Sequence, residues 1–166
     1  MVRILVAVDG SELALDAVRH ALMLIREGLK AAIVLGHVQE EASFLELATQ
    51  SADAIAEAAV EAGKHLTRPA EKLVRDAGVP FETEIVLGSP AAALCDLAES
   101  QGCDFIVMGA RGVGAMRAAV IGSVSQAVVH QCNLPVMVVK HIDALEDEND
   151  AGGESDSDGD GGGDGE

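Results

Sequence analysis

Gly109, Gly112 and Gly114 follow directly on the apolar run Phe105-Ile106-Val107-Met108, and nine residues separate Gly112 from Gly122-Ser123. Glycine tolerates torsions and close approaches that a Cβ forbids, so a loop of this kind can turn its N–H groups toward a ligand. Gly122-Ser123-Val124-Ser125 opens an apolar-periodic stretch ending near His130, which predicts a helix beginning at Ser123 or its neighbour. A strand, a glycine-rich loop and a helix amino end gather free amides and the positive end of a helix dipole in one place. The chemistry of such a place is anion binding, with phosphate as the ligand class. Gly109 and Gly112 then provide close backbone approach. Gly122 and Ser123, with Val124 in the same turn, offer amides, and the hydroxyls of Ser123 and Ser125 add donors. Arg111 and Arg117 either neutralise phosphate charge or are solvated loop residues.

Other chemistries are poorly served. No GxxxxGK[ST] occurs, and Gly112-Val113-Gly114 is followed three residues later by Arg117, so neither the P-loop nor the dinucleotide fingerprint is met. His37 has no Ser or Cys nucleophile with a matching acid around it and reads as structural. His20, His65, His130 and His141 lack metal-ligand spacing. Cys95, Cys103 and Cys132 are sparse, odd in number and free of any CxxC, which predicts reduced, buried thiols in a cytoplasmic protein.

The elements that must position the glycine loop alternate regularly. Val2 to Val8 reads as a buried strand, ended by Asp9-Gly10-Ser11, with Ser11 capping a helix that Gly28 stops. Ala31 to Val38 is a second strand. Residues 39–48 read as a linker, and Thr49 to Ala77 as a long helical region in which Pro69 predicts a kink or restart. Phe81 to Leu87 alternates like an outer strand, and Ser89-Pro90 opens a short helix ending at Gly102. The strand before Gly109, the helix after Gly122 and a last strand from Val136 to Lys140 complete five strand-and-helix alternations, the pattern of a doubly wound α/β sheet.

Gly-x2-Gly-x9-Gly-Ser, with Ile106-Val107-Met108-Gly109 before it and Leu134-Pro135-Val136-Met137-Val138-Val139 after it, resembles the universal stress protein family, in particular its ATP-binding branch. Ile4-Leu5-Val6-Ala7-Val8-Asp9-Gly10-Ser11 and Val34-Leu35-Gly36-His37-Val38 extend the resemblance over about residues 2–141. The resemblance implies a Rossmann-like fold of the adenine nucleotide alpha hydrolase type, a five-stranded parallel sheet of order 3-2-1-4-5. The strand order would then reverse between the first and fourth strands, bringing Asp9 and Gly109 to one crevice. It further implies that Asp9 contacts the adenine or ribose, where the residue alone suggests a turn or capping carboxylate before Ser11. The backbone of Val38 would meet the adenine edge. ATP, with Mg²⁺ or Mn²⁺, is the implied cofactor, and no general base is aimed at a γ-phosphate, so the site holds ATP and hydrolysis is slow or absent. The implied role is a nucleotide-dependent regulator in stress response, acting through an unidentified protein partner. The alternative is a nucleotide-free interaction module of the same fold. The apolar last strand, Val136 to Val139, is expected to pair with its copy in a homodimer.

Ala110 stands where the family commonly has a hydroxyl or small polar residue, and the 116–121 loop is less basic than many versions. The net charge of −17 is unevenly spread: residues from Asp143 onward carry 11 acidic side chains and no Lys or Arg, leaving residues 1–142 at −6. The chain thus divides into a domain over 1–142 and an acidic Gly/Asp-rich tail over 143–166, expected to be disordered. Without a basic face or an aromatic platform, nucleic acid and anionic membrane are excluded as partners. Met1-Val2-Arg3-Ile4 leads straight into a strand, and no apolar run is long enough to span a bilayer.

Overall fold

Val2–Ala7 (β1) is apolar at almost every position because both of its faces are covered: Ile4 and Val6 join one core layer, Leu5 the other, and all three are fully buried. Each such side chain stabilises the fold by about 2–3 kcal/mol relative to exposure. The computed structural model describes residues 1–40, 51–110 and 121–140. Expectations for the 39–48 linker beyond Glu40, for Arg111, Gly112, Gly114 and Arg117, and for the acidic tail lie outside the described residues.

Glu12–Arg26 (α1) begins where the Ser11 hydroxyl accepts from the Ala14 amide at 3.2 Å. Ala31–Gln39 (β2) follows, then Ala52–Asp76 (α2), Phe81–Leu87 (β3), Pro90–Ser100 (α3), Phe105–Gly109 (β4), Ser123–Gln131 (α4) and Val136–Val139 (β5). All ladders are parallel, and the strands lie in the order β3-β2-β1-β4-β5. The doubly wound sheet of order 3-2-1-4-5 is therefore observed. Its helices divide by face: α1 and α2 cover Ile4, Val6, Ile33, Leu35 and Val107, while α3 and α4 cover Leu5, Val34, Ile106 and Met108. β3 and β5 form the two edges of the sheet, as the alternation in β3 and the position of β5 at the end of the pattern suggest.

One expectation is narrowed and one corrected. Of the kink or restart expected at Pro69, the restart does not occur; α2 is one helix of 25 residues. Pro69 and His65 both lie on the exposed side of α2, so water can take up the His65 carbonyl that the missing N–H leaves, while Ala70 and Val74 keep the helix seated on the sheet. The cysteines are not all reduced thiols. Cys95 in α3 and Cys132 at the end of α4 form a disulfide with their Cα atoms 5.3 Å apart, inside the span of about 4.4–6.8 Å that the bond allows. Their separation of 37 residues gave no sign of this in the sequence; α3 and α4 lie side by side on one face, and that packing brings the two together. Cys103 matches the expectation, being free and buried.

Candidate functional site

In an open α/β sheet the crevice lies beyond the carboxyl ends of the strands where their order reverses. Here that place is between β1 and β4, whose other neighbours, β2 and β5, lie on opposite sides. Val6 pairs with Val107, and Ala7 pairs with Gly36, so Asp9, Val38 and Gly109 all come to the carboxyl edge on three adjacent strands. The amino end of α4 returns to the same edge. Asp9, Val38 and Gly109 thus lie at one edge of the sheet, to which the first turn of α4 is tied through Ser125.

The local contacts show how the motif residues are employed. Gly122 N donates to Ala110 O at 2.6 Å and closes the base of the glycine loop. Its amide is therefore engaged within the protein. The Ser125 hydroxyl is buried and donates to Gly109 O at 2.9 Å, with Ala110 O at 3.2 Å. Its one proton ties the first turn of α4 to the end of β4 and does not face a ligand. Gly109 lacks a side chain for a packing reason: a Cβ there would lie 2.8 Å from Leu13 O and 2.9 Å from Leu13 C, in the backbone of α1. What remains for an anion is the helix end itself. Among the described residues no acceptor meets the amides of Ser123, Val124 or Ser125, and Ser123 is exposed. These three N–H groups and the positive end of the α4 dipole lie beside the carboxyl end of β4, to which Ser125 ties the helix.

Asp9 performs the turn function that its residue type suggests, with Oδ1 accepting from Ser11 N at 2.9 Å and from Ser11 Oγ at 2.5 Å. This fixes the carboxylate at the mouth of the crevice. Val38 is placed by the ladder. Gly36 O accepts from Val8 N at 2.9 Å, whereas Gln39 O accepts from Gly88 N at 3.1 Å on the β3 side, so alternate residues of β2 face alternate neighbours. Val38 therefore turns its N–H and C=O toward the β1 side, level with Asp9, where β1 has already ended. Among the described residues neither group meets a partner. His37 is buried, as a structural histidine should be, with Nδ1 donating to Val8 O at 2.8 Å and Nε2 at 3.3 Å from Gln39 Oε1.

The model of the universal stress protein family matches residues 1–140. The chain belongs to that family. It is similar to universal stress protein MJ0531 of Methanocaldococcus jannaschii, 30% identical over 139 residues that cover 83% of this chain and 81% of its relative. Among solved structures it is similar to MJ0577 of the same organism, with a TM-score of 0.73 and 28% identity over 84% of this chain and 96% of that one. A universal stress protein family protein of Arabidopsis thaliana, solved with AMP bound, superposes with a TM-score of 0.61 at 25% identity, covering 86% of this chain and 94% of that one.

Among the described residues no three His, Cys, Asp or Glu side chains gather to hold a metal ion, and no helix is long and apolar enough to cross a membrane. A separate shallow cleft between α1 and α2, lined by Arg19, Leu22, Arg26, Leu73, Asp76 and Ala77, lies at the opposite end of those helices. It shares no residue with the crevice. Sequence reasoning missed the inward duties of Gly122 and Ser125. No local signal could have revealed them, because both depend on the return of α4 to the end of β4.

Proposed function

We propose that this universal stress protein binds ATP at the β1–β4 crevice and acts as a nucleotide-dependent regulator in stress response, with slow hydrolysis or none. The observation that carries the reading is the amino end of α4, with the Ser123, Val124 and Ser125 amides unmatched by any acceptor among the described residues, at the point of strand reversal. The phosphates lie against those amides. The N–H and C=O of Val38 fit the adenine edge, where N1 accepts and N6 donates. Asp9 accepts from the ribose or base. Arg111 and Gly112 are the further residues that the motif assigns to the phosphates. Mg²⁺ or Mn²⁺ neutralises phosphate charge and travels with the nucleotide, because the described protein residues supply no cage for it. The AMP carried by the Arabidopsis relative supports an adenine nucleotide as ligand.

Ser123→Pro tests the reading. Ser123 is the first residue of α4, where proline is favoured, and Gly122 before it has φ −65° and ψ 160°, the extended conformation that a following proline requires. The change therefore deletes one amide donor and leaves the helix in place. ATP affinity by calorimetry should fall about tenfold or more, the worth of one charge-assisted hydrogen bond. Ser123→Ala, which keeps the amide, should stay within about threefold of wild type, the scale of a lost neutral hydrogen bond. A wild type that binds no adenine nucleotide, or a Ser123→Pro variant that binds as well as wild type, would defeat the proposal and favour the nucleotide-free interaction module.

The partly exposed, apolar edge strand β5 is the surface through which we place a homodimer. Val138→Lys should convert dimer to monomer in light scattering at micromolar concentration. A monomeric wild type would remove this part of the reading.

A further inference from the structure

The parallel ladder between β1 and β2 has room for one more rung than it forms. Val8 N already donates to Gly36 O at 2.9 Å, and the next bond in a parallel pair would run from Val38 N to Val8 O. That bond is missing. The Val8 carbonyl accepts instead from the His37 ring at 2.8 Å, and since a carbonyl can only accept, Nδ1 carries the proton. The imidazole supplies the donor at an acceptor where the ladder would place the Val38 N–H.

The ring is held firmly in that position. His37 is 4% exposed. α2 closes over it at Gly63, where a Cβ would lie 3.0 Å from His37 Cδ2 and 2.7 Å from Ile85 Cγ2, so only glycine lets the helix approach this near. Sheet and helix together thus maintain a histidine that donates to the carbonyl at which the strand ladder would continue.

We propose that His37 is a positioning residue for base selection: by occupying the Val8 carbonyl it keeps the N–H and C=O of Val38 open toward the crevice. This rests on ATP binding at the β1–β4 crevice and deepens that reading. An N–H donor beside a C=O acceptor matches the N1 and N6 edge of adenine. Guanine presents a donor at N1 and an acceptor at O6, the reverse order, and is rejected because both backbone groups would then lie unpaired against like partners. If Val8 O were released, it would draw in the Val38 N–H, and the donor half of the reading edge would close.

The test compares His37→Leu, which removes the ring donor, with His37→Asn, whose side-chain amide places an N–H where Nδ1 stands. Calorimetry measures ATP, GTP and inorganic tripolyphosphate on each folded variant. Wild type should prefer ATP to GTP by about tenfold or more, and His37→Leu should lose most of that preference while binding tripolyphosphate within about twofold of wild type. His37→Asn should retain the preference. A general loss of structure would weaken ATP and tripolyphosphate together, and that result overturns the proposal, as does unchanged base preference in His37→Leu. A measurement on the wild type alone stands beside these: in amide hydrogen exchange followed by NMR, Val38 should exchange faster than Gly36 in the free protein and become protected on adding ATP. A Val38 amide already as protected as Gly36 overturns the proposal while leaving ATP binding intact. A wild type without ATP affinity overturns the functional reading, and this inference with it.

Discussion

Replacing Gly109 by alanine separates two explanations of the motif's first glycine. If that glycine serves only to let a ligand approach, the ligand-free protein should be indifferent to an added methyl group. The structure gives a different expectation. A Cβ at Gly109 meets Leu13 O at 2.8 Å, Leu13 C at 2.9 Å and Leu13 Cβ at 3.1 Å, and two of these atoms belong to the backbone of α1. No side-chain rotation relieves such contacts. Either α1 moves away from β4 by several tenths of an ångström or β4 bends, and both disturb a layer in which Ala14, Ala17 and Val18 are buried to within 4% exposure. Overpacking of this kind costs about 1–3 kcal/mol. For a domain of this length each kcal/mol lowers Tm by about 3 °C, so the ligand-free Gly109→Ala variant should melt about 3–10 °C below wild type. Thermal unfolding by circular dichroism without nucleotide is the assay. A Tm unchanged within a degree would refute the packing account and return Gly109 to a role in ligand approach alone.

The disulfide and the remaining thiol give two further predictions. Closing a loop across 37 residues restricts the unfolded chain by about 4 kcal/mol, so reduction should lower Tm by about 8–16 °C, with one titratable thiol before reduction and three after. Three thiols in protein purified without reductant would count against the Cys95–Cys132 pairing. Burial pushes the Cys103 thiol above its ordinary value of 9.0, with nearby Arg3 opposing the rise. The fold therefore favours the neutral thiol. Its contribution to stability is complete below about pH 9, the unfolded value, and is lost as pH rises through the folded one. Urea unfolding from pH 8 to 10.5 should show a steeper alkaline loss in wild type than in Cys103→Ala, and identical slopes would refute the assignment.

Much of this architecture could be read from residue pattern, and the reasons are specific. Continuous apolar runs such as Ile4-Leu5-Val6 and Ile106-Val107-Met108 arise only where helices cover both faces of a strand, so they report a parallel sheet directly. Ser11 followed by periodic apolar positions located α1 because capping is a local hydrogen bond, to Ala14 N. The Cys95–Cys132 bond and the unbroken course of α2 through Pro69 were not legible. The first depends on which helices become neighbours, and the second on which side of a helix faces water. The strand order itself came from family resemblance; alternation fixes the class of sheet but not its sequence of neighbours.

The site shows the same division at finer scale. The spacing Gly-x2-Gly-x9-Gly-Ser marks a place where a chain must leave a strand, make a loop and start a helix against that strand. In the structure the described members of the motif largely serve this change of direction. Gly109 admits α1, Gly122 N closes the loop on Ala110 O, and Ser125 anchors the first turn of α4 to Gly109 O. Their combined effect is to fix the direction of three amides that themselves carry no sequence signature, since every residue but proline has one. On the proposed reading the motif marks an anion site although the Ser125 hydroxyl and the Gly122 amide are engaged within the protein. If the site takes an anion as proposed, these internal hydrogen bonds order the helix end before binding, which lowers the cost of binding. By the same reasoning, substitutions at Ser125 and Gly109 should weaken nucleotide binding through the placement of α4 and α1, and those at Ser123 through direct loss of a donor.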